Sequence, residues 1–195
     1  MSVIDQVIAA VTPAESERAR ARARSDAHAV AAPGEWLSLV LEDHAQIEMA
    51  FAALQAAASA GRRLEAQREL AEILMAHAIA EESVLYPALA LHDAKSCAET
   101  AYGEQSTVKI QMAALEELDP MSREYAKQLE QIRADVAHHI YQEESTWFLE
   151  LQARLSPADE ARLTGRYLEE FERYLGGGGS TALSEDDVID VDVLS

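Results

Sequence analysis

A single cysteine, Cys97, occurs in the 195 residues, so no intrachain disulfide can form and nothing points to an oxidising compartment. Glycine is scarce before residue 176, and runs of β-branched residues are missing except near the C-terminal end. Against a background of alanine, leucine and glutamate, those shortages exclude a sheet-rich fold and favour an all-helical one. Basic side chains are outnumbered, 16 Lys and Arg against 35 Asp and Glu, giving a formal charge of -19. A surface so acidic repels phosphates and anionic lipid, so neither nucleic acid nor a membrane is an expected partner. No apolar run approaches the roughly 20 residues of a membrane span. The early run Val7 to Val11 is short and lacks a basic stretch before it, which argues against a signal peptide. The expectation is a cytoplasmic protein, free or sequestered in a protein assembly.

What the chain does contain is a repeat. His77-x3-Glu81-Glu82-Ser83 returns as His139-x3-Glu143-Glu144-Ser145. A His and a Glu four residues apart lie one above the other on a helix, so each copy presents an imidazole and a carboxylate to one point. Burial of an unpaired carboxylate is costly, and an inward Glu therefore implies a partner.

The surrounding pattern predicts one domain with tails. Residues 1–33 form a helical arm, with Thr12 as a cap before Pro13; its Arg/Ala alternation has period two and gives no clean buried face, which favours a solvated or loosely docked segment over a specific binding arm. Residues 34–175 carry the helices. The first runs over 35–60 with His44 in its apolar stripe and Glu48 at the stripe's edge. After a break at Gly61-Arg62-Arg63, a second covers 64–91 with His77 and Glu81 inward, Glu82 more exposed, and a bend at Pro87. A third spans 96–118 with Gln105 inward, flanked by Glu104, and Tyr102 a turn earlier. A fourth spans 122–155 with His139 and Glu143 inward, and His138 and Glu144 outside the stripe. Ser156-Pro157 opens a fifth helix, to Leu175, with Leu163, Tyr167 and Phe171 on one side. Residues 176–195 form a Gly-rich linker and an acidic tail whose alternating Val and Asp allow two readings: a disordered tail, or a docking peptide, 181–195, that adds as a strand to a partner.

Short connections between the long helices favour an antiparallel up-down-up-down four-helix bundle. In such hairpins, residues equidistant from a turn lie at the same height, so His44 and His77 are level about Gly61, and Gln105 and His139 about Asp119-Pro120. One layer then holds His44, His77, Glu81, Gln105, His139 and Glu143. Without a cation, two buried carboxylates repel and their pKa values rise. The metal-free alternative pairs Glu81 and Glu143 with protonated His77 and His139. Nitrogen and oxygen ligands without cysteine suit iron, with manganese or zinc as substitutes.

Asp43-His44, His77-x3-Glu81-Glu82-x3-Tyr86-Pro87 and His139-x3-Glu143-Glu144 with Trp147-Phe148 resemble a hemerythrin-like, HHE cation-binding domain over roughly residues 35–155. The resemblance implies a four-helix bundle holding a non-haem di-iron centre with His44, His77, Glu81, His139 and Glu143 as ligands. The family usually places a His after a Glu on the third helix; this chain has Glu104-Gln105, and an amide is a poor iron ligand. Either one iron keeps an open or water-filled position, or Glu104 is recruited to it. Tyr86 and Tyr102, near the layer, either bond a bound oxygen species or fill space.

Three functions fit. One is a di-iron protein that binds O2, NO or peroxide for sensing, storage or detoxification. Another is a di-iron oxidase or peroxidase using the position left by Gln105. The third is an iron-sequestering cargo protein docked to a partner, such as a shell protein, by its C-terminal peptide.

Overall fold

The computed structural model describes residues 15–92 and 94–177; the Thr12-Pro13 cap and the tail peptide lie outside them. Every element among the described residues is helical. In chain order these are α1 (Glu17–Val30), α2 (Trp36–Ala56), α3 (Ala60–Ala80, continued through Glu81–Leu85 and Tyr86–Leu91), α4 (Lys95–Glu116), α5 (Arg123–Gln142, continued through Glu143–Trp147 and Phe148–Gln152) and α6 (Pro157–Gly177). The expected break at Gly61 falls earlier, at 57–59, because Ser59 is extended and Gly61 already belongs to the first turn of α3. Ser16 caps α1 by accepting from the Ala19 amide, and Ser122 caps α5 by accepting from Tyr125.

Both copies of the repeat interrupt their helix in the same way. The Tyr86 amide bonds to the Glu81 carbonyl and the Phe148 amide to that of Glu143, each five residues back, so a π-helical turn replaces an α-helical one. Pro87 is therefore not the common cause, since the second copy has no proline there. A π turn carries one residue more than an α turn and rotates the helix beyond it. The residue five beyond each inward Glu thus returns to the interior: Tyr86 and Phe148 are both fully buried.

The polar layer lies between two apolar clusters. One contains Trp36, Leu37, Leu41, Leu85, Leu89, Phe148 and Leu151, with Phe148 edge-on to Trp36 at 5.5 Å between ring centroids. The other contains Ile47, Phe51, Leu54, Leu70, Leu115, Tyr125, Leu129 and Ile132. Among the described residues, 60–91 is the one helix long and apolar enough to cross a membrane, and 56% of its most apolar window is buried within the protein.

The arm is not a loosely docked segment. Ala23 and Ala27, four residues apart, are buried as α1 packs on the π turn of α5 and on α2. The period-two alternation hides this face because alanine is small enough to sit in the contact while the arginines emerge around it. α6 packs against α3 and α2. Replacing Ala27 by Glu is expected to release α1, because a charge without a partner cannot be accommodated at a fully buried position. Trypsin should then cut the arginines of 18–24 much faster than in the parent protein while the circular dichroism of the remaining helices persists.

Candidate metal centre

The polar layer assembles from α2, α3, α4 and α5. His44 and His77 meet edge to face with ring centroids 5.0 Å apart. His44, His77, Glu81 and Glu143 each offer an atom, all within 4.8 Å of one another and all buried. His44 Nε2 lies 3.2 Å from Glu143 Oε2, and His77 Nε2 lies 3.1 Å from Glu81 Oε2. His44 Nε2, His77 Nε2, Glu81 Oε1 and Glu143 Oε2 nevertheless have no hydrogen-bond partner. Buried polar atoms are nearly always satisfied, so four orphans facing each other fit a shared cation. His139 joins through Nε2, 3.2 Å from Glu143 Oε1.

The outer nitrogen of each ring is held by an oxygen. His44 Nδ1 donates to Glu144 Oε1 at 3.0 Å, and His139 Nδ1 to Glu104 Oε2 at 2.8 Å. His77 Nδ1 donates to Tyr167 Oη at 3.3 Å, and that hydroxyl donates onward to Asp43 Oδ2 at 2.6 Å. All three imidazoles are thereby fixed with Nε2 directed into the cluster, the tautomer a metal ligand needs.

Several of these supports escape a sequence reading. Glu144, expected outside the stripe, is buried because the π turn rotates it towards α1, where Arg24 Nε donates to its Oε1 at 3.1 Å. Arg24 also forks onto Glu48 at 2.6 and 2.9 Å, so the hydrogen bonds that connect Glu48 to the cluster run through Arg24 and Glu144. Glu82 stays half-buried, paired with Lys109 at 2.7 Å. Tyr167 belongs to α6, more than a hundred residues from Asp43 in the chain. No local pattern announces that contact, although Asp43 stands next to His44.

On α4, Gln105 Nε2 donates to Glu81 Oε2 at 2.6 Å and to Tyr86 Oη at 2.5 Å. The Tyr86 hydroxyl also lies 2.9 Å from Glu81 Oε2, 3.0 Å from Glu143 Oε1 and 3.0 Å from His139 Nε2. It stands at the centre of the polar layer rather than filling space. Glu104 meets the outer nitrogen of His139 and reaches the cluster through that ring. The hydroxyl of Tyr102 donates to the Glu82 carbonyl at 2.6 Å, while its ring packs edge-on to Tyr86.

The charges follow from burial and proximity. Burial disfavours protonated His44, yet Glu143 and Glu144 outweigh it and lift its pKa from 6.5 to about 9. Burial likewise opposes a charged His139, and Glu143 and Glu104 prevail, raising it well above 6.5. His77 moves well below that value, through burial and then repulsion from His44. Glu81 is driven upward by burial and by the Glu143 charge. Glu143 is held low by His139 and His44 in spite of its own burial. In the metal-free cluster the proton affinity of His44, His139 and Glu81 is therefore raised and that of His77 lowered, which disfavours the expected pairing through a charged His77. Burial raises Asp43 to about 6 against the opposing hydrogen bond from Tyr167.

His44 gains its proton-linked stability in the folded state, so that contribution is complete below pH 6.5 and vanishes as pH rises through about 9. The metal-free protein is expected to lose melting temperature over this interval. Metal must displace protons from the same atoms, so the stabilisation by added metal should widen with pH. A gap between loaded and metal-free melting curves that stays constant from pH 6.5 to 9 would contradict this. Tyr167→Phe removes the hydroxyl that holds His77. It is expected to weaken metal affinity roughly 10- to 100-fold in a chelator competition, with helicity unchanged.

A family model, the hemerythrin HHE cation-binding domain, matches residues 37–151. A DNA nickase from Nostoc sp. (strain PCC 7120 / SAG 25.82 / UTEX 2576) is 31% identical over 114 residues, 58% of this chain and 32% of that protein. The chain thus spans about a third of the length of this curated relative. No solved structure matches. The matched span holds His44, His77, Glu81, His139 and Glu143, whereas Arg24 and Tyr167 come from outside it. With more than half of its length covered by that match, the chain belongs to the hemerythrin HHE cation-binding domain family.

Proposed function

We propose that the cluster is a non-haem di-iron centre that binds O2, NO or peroxide, with His44, His77, Glu81, His139 and Glu143 as protein ligands. The observation that carries this reading is the set of four buried residues whose ligand atoms lie within 4.8 Å of one another, each of which also has a buried nitrogen or oxygen without a hydrogen-bond partner. The absence of cysteine from the layer favours iron, with manganese or zinc as substitutes. Bound iron supplies the redox chemistry towards those small oxidants. The protein's own part is to keep the ring nitrogens directed inward, to exclude water with the apolar clusters on either side, and to hold protons at His44 and His139 until metal displaces them.

Neither side chain of the Glu104-Gln105 pair serves this centre as the usual histidine would. Gln105 turns a donor N–H towards it and Glu104 braces His139. On that side the nearest oxygen is the Tyr86 hydroxyl, which we assign as a further oxygen ligand or as the hydrogen-bond donor to a bound oxidant. A second reading, an oxidase or peroxidase, is favoured by a cavity that reaches His77, Gln105 and His139. Nicking of DNA is a property of the longer Nostoc relative; the charge of -19 on this chain weighs against bringing it over. Short connectors support an antiparallel up-down-up-down arrangement of α2 to α5, with residues 1–33 as arm, 34–175 as the domain including α6, and 176–195 as linker and tail. The docking-peptide reading of 181–195 rests on its Val and Asp alternation alone.

Iron loading followed by metal analysis and absorption spectroscopy tests the centre. Two irons per chain and near-ultraviolet oxo-to-iron absorption are expected; fewer than one iron and no such band would overturn it. Glu81→Ala and Glu143→Ala should each lower both iron content and the melting temperature of the loaded protein. Gln105→His should raise iron occupancy or stabilise the O2 adduct.

A further inference from the structure

α1 lies outside the matched family domain, yet one of its side chains stands a single hydrogen bond from a support of the metal centre. Arg24 Nε donates to Glu144 Oε1 at 3.1 Å, and the same oxygen accepts from His44 Nδ1 at 3.0 Å. The two other guanidinium nitrogens fork onto Glu48, so all three are held and the group is fixed in place. Glu144 is 1% exposed, and Arg24 is its one Lys or Arg partner among the described residues.

α1 rests on the π turn of α5, which contributes both Glu143 and Glu144. Ala23 and Ala27 are its only buried residues, so little apolar area holds it down. Its docking therefore leans on the Arg24 bonds and on the Glu15–His138 pair at 2.8 Å just before the helix. Undocking of α1 removes the cation from Glu144, lets that carboxylate turn to water and frees the outer nitrogen of His44. A cation on His44 Nε2 is accordingly bound more tightly in the docked state, where ring and tautomer are fixed. Coupling between two binding events is reciprocal, so the ion holds α1 down by the same factor by which docked α1 tightens the ion.

We propose that Arg24 is a positioning residue of the metal centre, acting through Glu144 on His44, and that α1 is a latch whose docking is tightened by the bound ion. This rests on the metal reading only as far as a cation at His44; it requires neither iron nor a second ion.

The full chain is loaded with zinc, which has no redox chemistry, and digested with trypsin while cleavage after Arg18, Arg20 and Arg22 is followed by mass spectrometry. Zinc should slow these cuts roughly 5-fold or more, the lower end of ordinary coupling between sites. Arg24→Gln should erase the difference, which also excludes a direct effect of zinc on the protease, and should weaken zinc roughly 10-fold in a chelator competition. Ala27→Glu detaches α1 without altering Glu144 or His44 and should weaken zinc to a similar extent. Cobalt at saturation reports the ligand field: its visible bands should shift in Arg24→Gln and stay unchanged in Arg22→Gln, since Arg22 is exposed and pairs with Asp26. Bound zinc with unchanged cleavage rates, full zinc affinity in Arg24→Gln or Ala27→Glu, or cobalt bands unmoved in Arg24→Gln would overturn the proposal. Iron analysis separates the two readings: fewer than one iron per chain with zinc-dependent protection sinks the di-iron centre alone, and failure to bind any divalent ion sinks both.

Discussion

Two carboxylates, Glu81 and Glu143, are wholly buried and face one another across an apolar interior. Among the described residues no lysine or arginine pairs with either, so the repulsion and the lost hydration must be offset by other means. In the metal-free protein the raised proton affinity of Glu81, and of His44 and His139 beside Glu143, provides the offset. A shared cation does the same with the protons removed. Much else in the molecule serves this constraint: the π turns that bring Tyr86 inward, the three braced imidazoles, and the two apolar clusters that keep solvent out.

The brace is wider than the family domain. Arg24 on α1 holds Glu144, which holds His44; Tyr167 on α6 connects His77 to Asp43. The helices flanking the bundle thus reach the centre through one hydrogen-bonded chain each. Their docking is part of how the site is built, and a truncated domain would lose the Tyr167 support of His77 and the Arg24 bond that holds Glu144 against His44. Gln105 has the opposite role. It leaves the centre without a histidine on that side, and it lines the neighbouring cavity.

Much of this was legible in the chain. Apolar spacing of 3.6 found the long helices to within a few residues, and His77, Glu81, His139 and Glu143 stood out because a helix aligns positions four apart. His44 was legible because its stripe and its distance from the turn put it level with His77. What failed did so for local reasons. Glu144 was read as outward because an α-helical wheel has no place for a π turn, and the alternating Arg and Ala of α1 masked a face built from two alanines. Ser59, not Gly61, marks the start of α3, since a glycine is tolerated in a first helical turn.

By itself, the sequence determined that the chain is helical and which imidazoles and carboxylates lie on the inward stripes, because those properties arise from the periodicity of a single backbone; its motifs carried the resemblance to cation-binding domains. Only the tertiary structure decided what holds the ligands in place and which protonation each adopts. Tyr167 meets Asp43, Arg24 meets Glu144, and the Tyr86 hydroxyl enters the cluster, all through contacts between separate helices or through a change of helical pitch. The pKa values of His44 and His139 rise while that of His77 falls because pKa depends on the charges around a buried ring, and those neighbours are assembled only by folding.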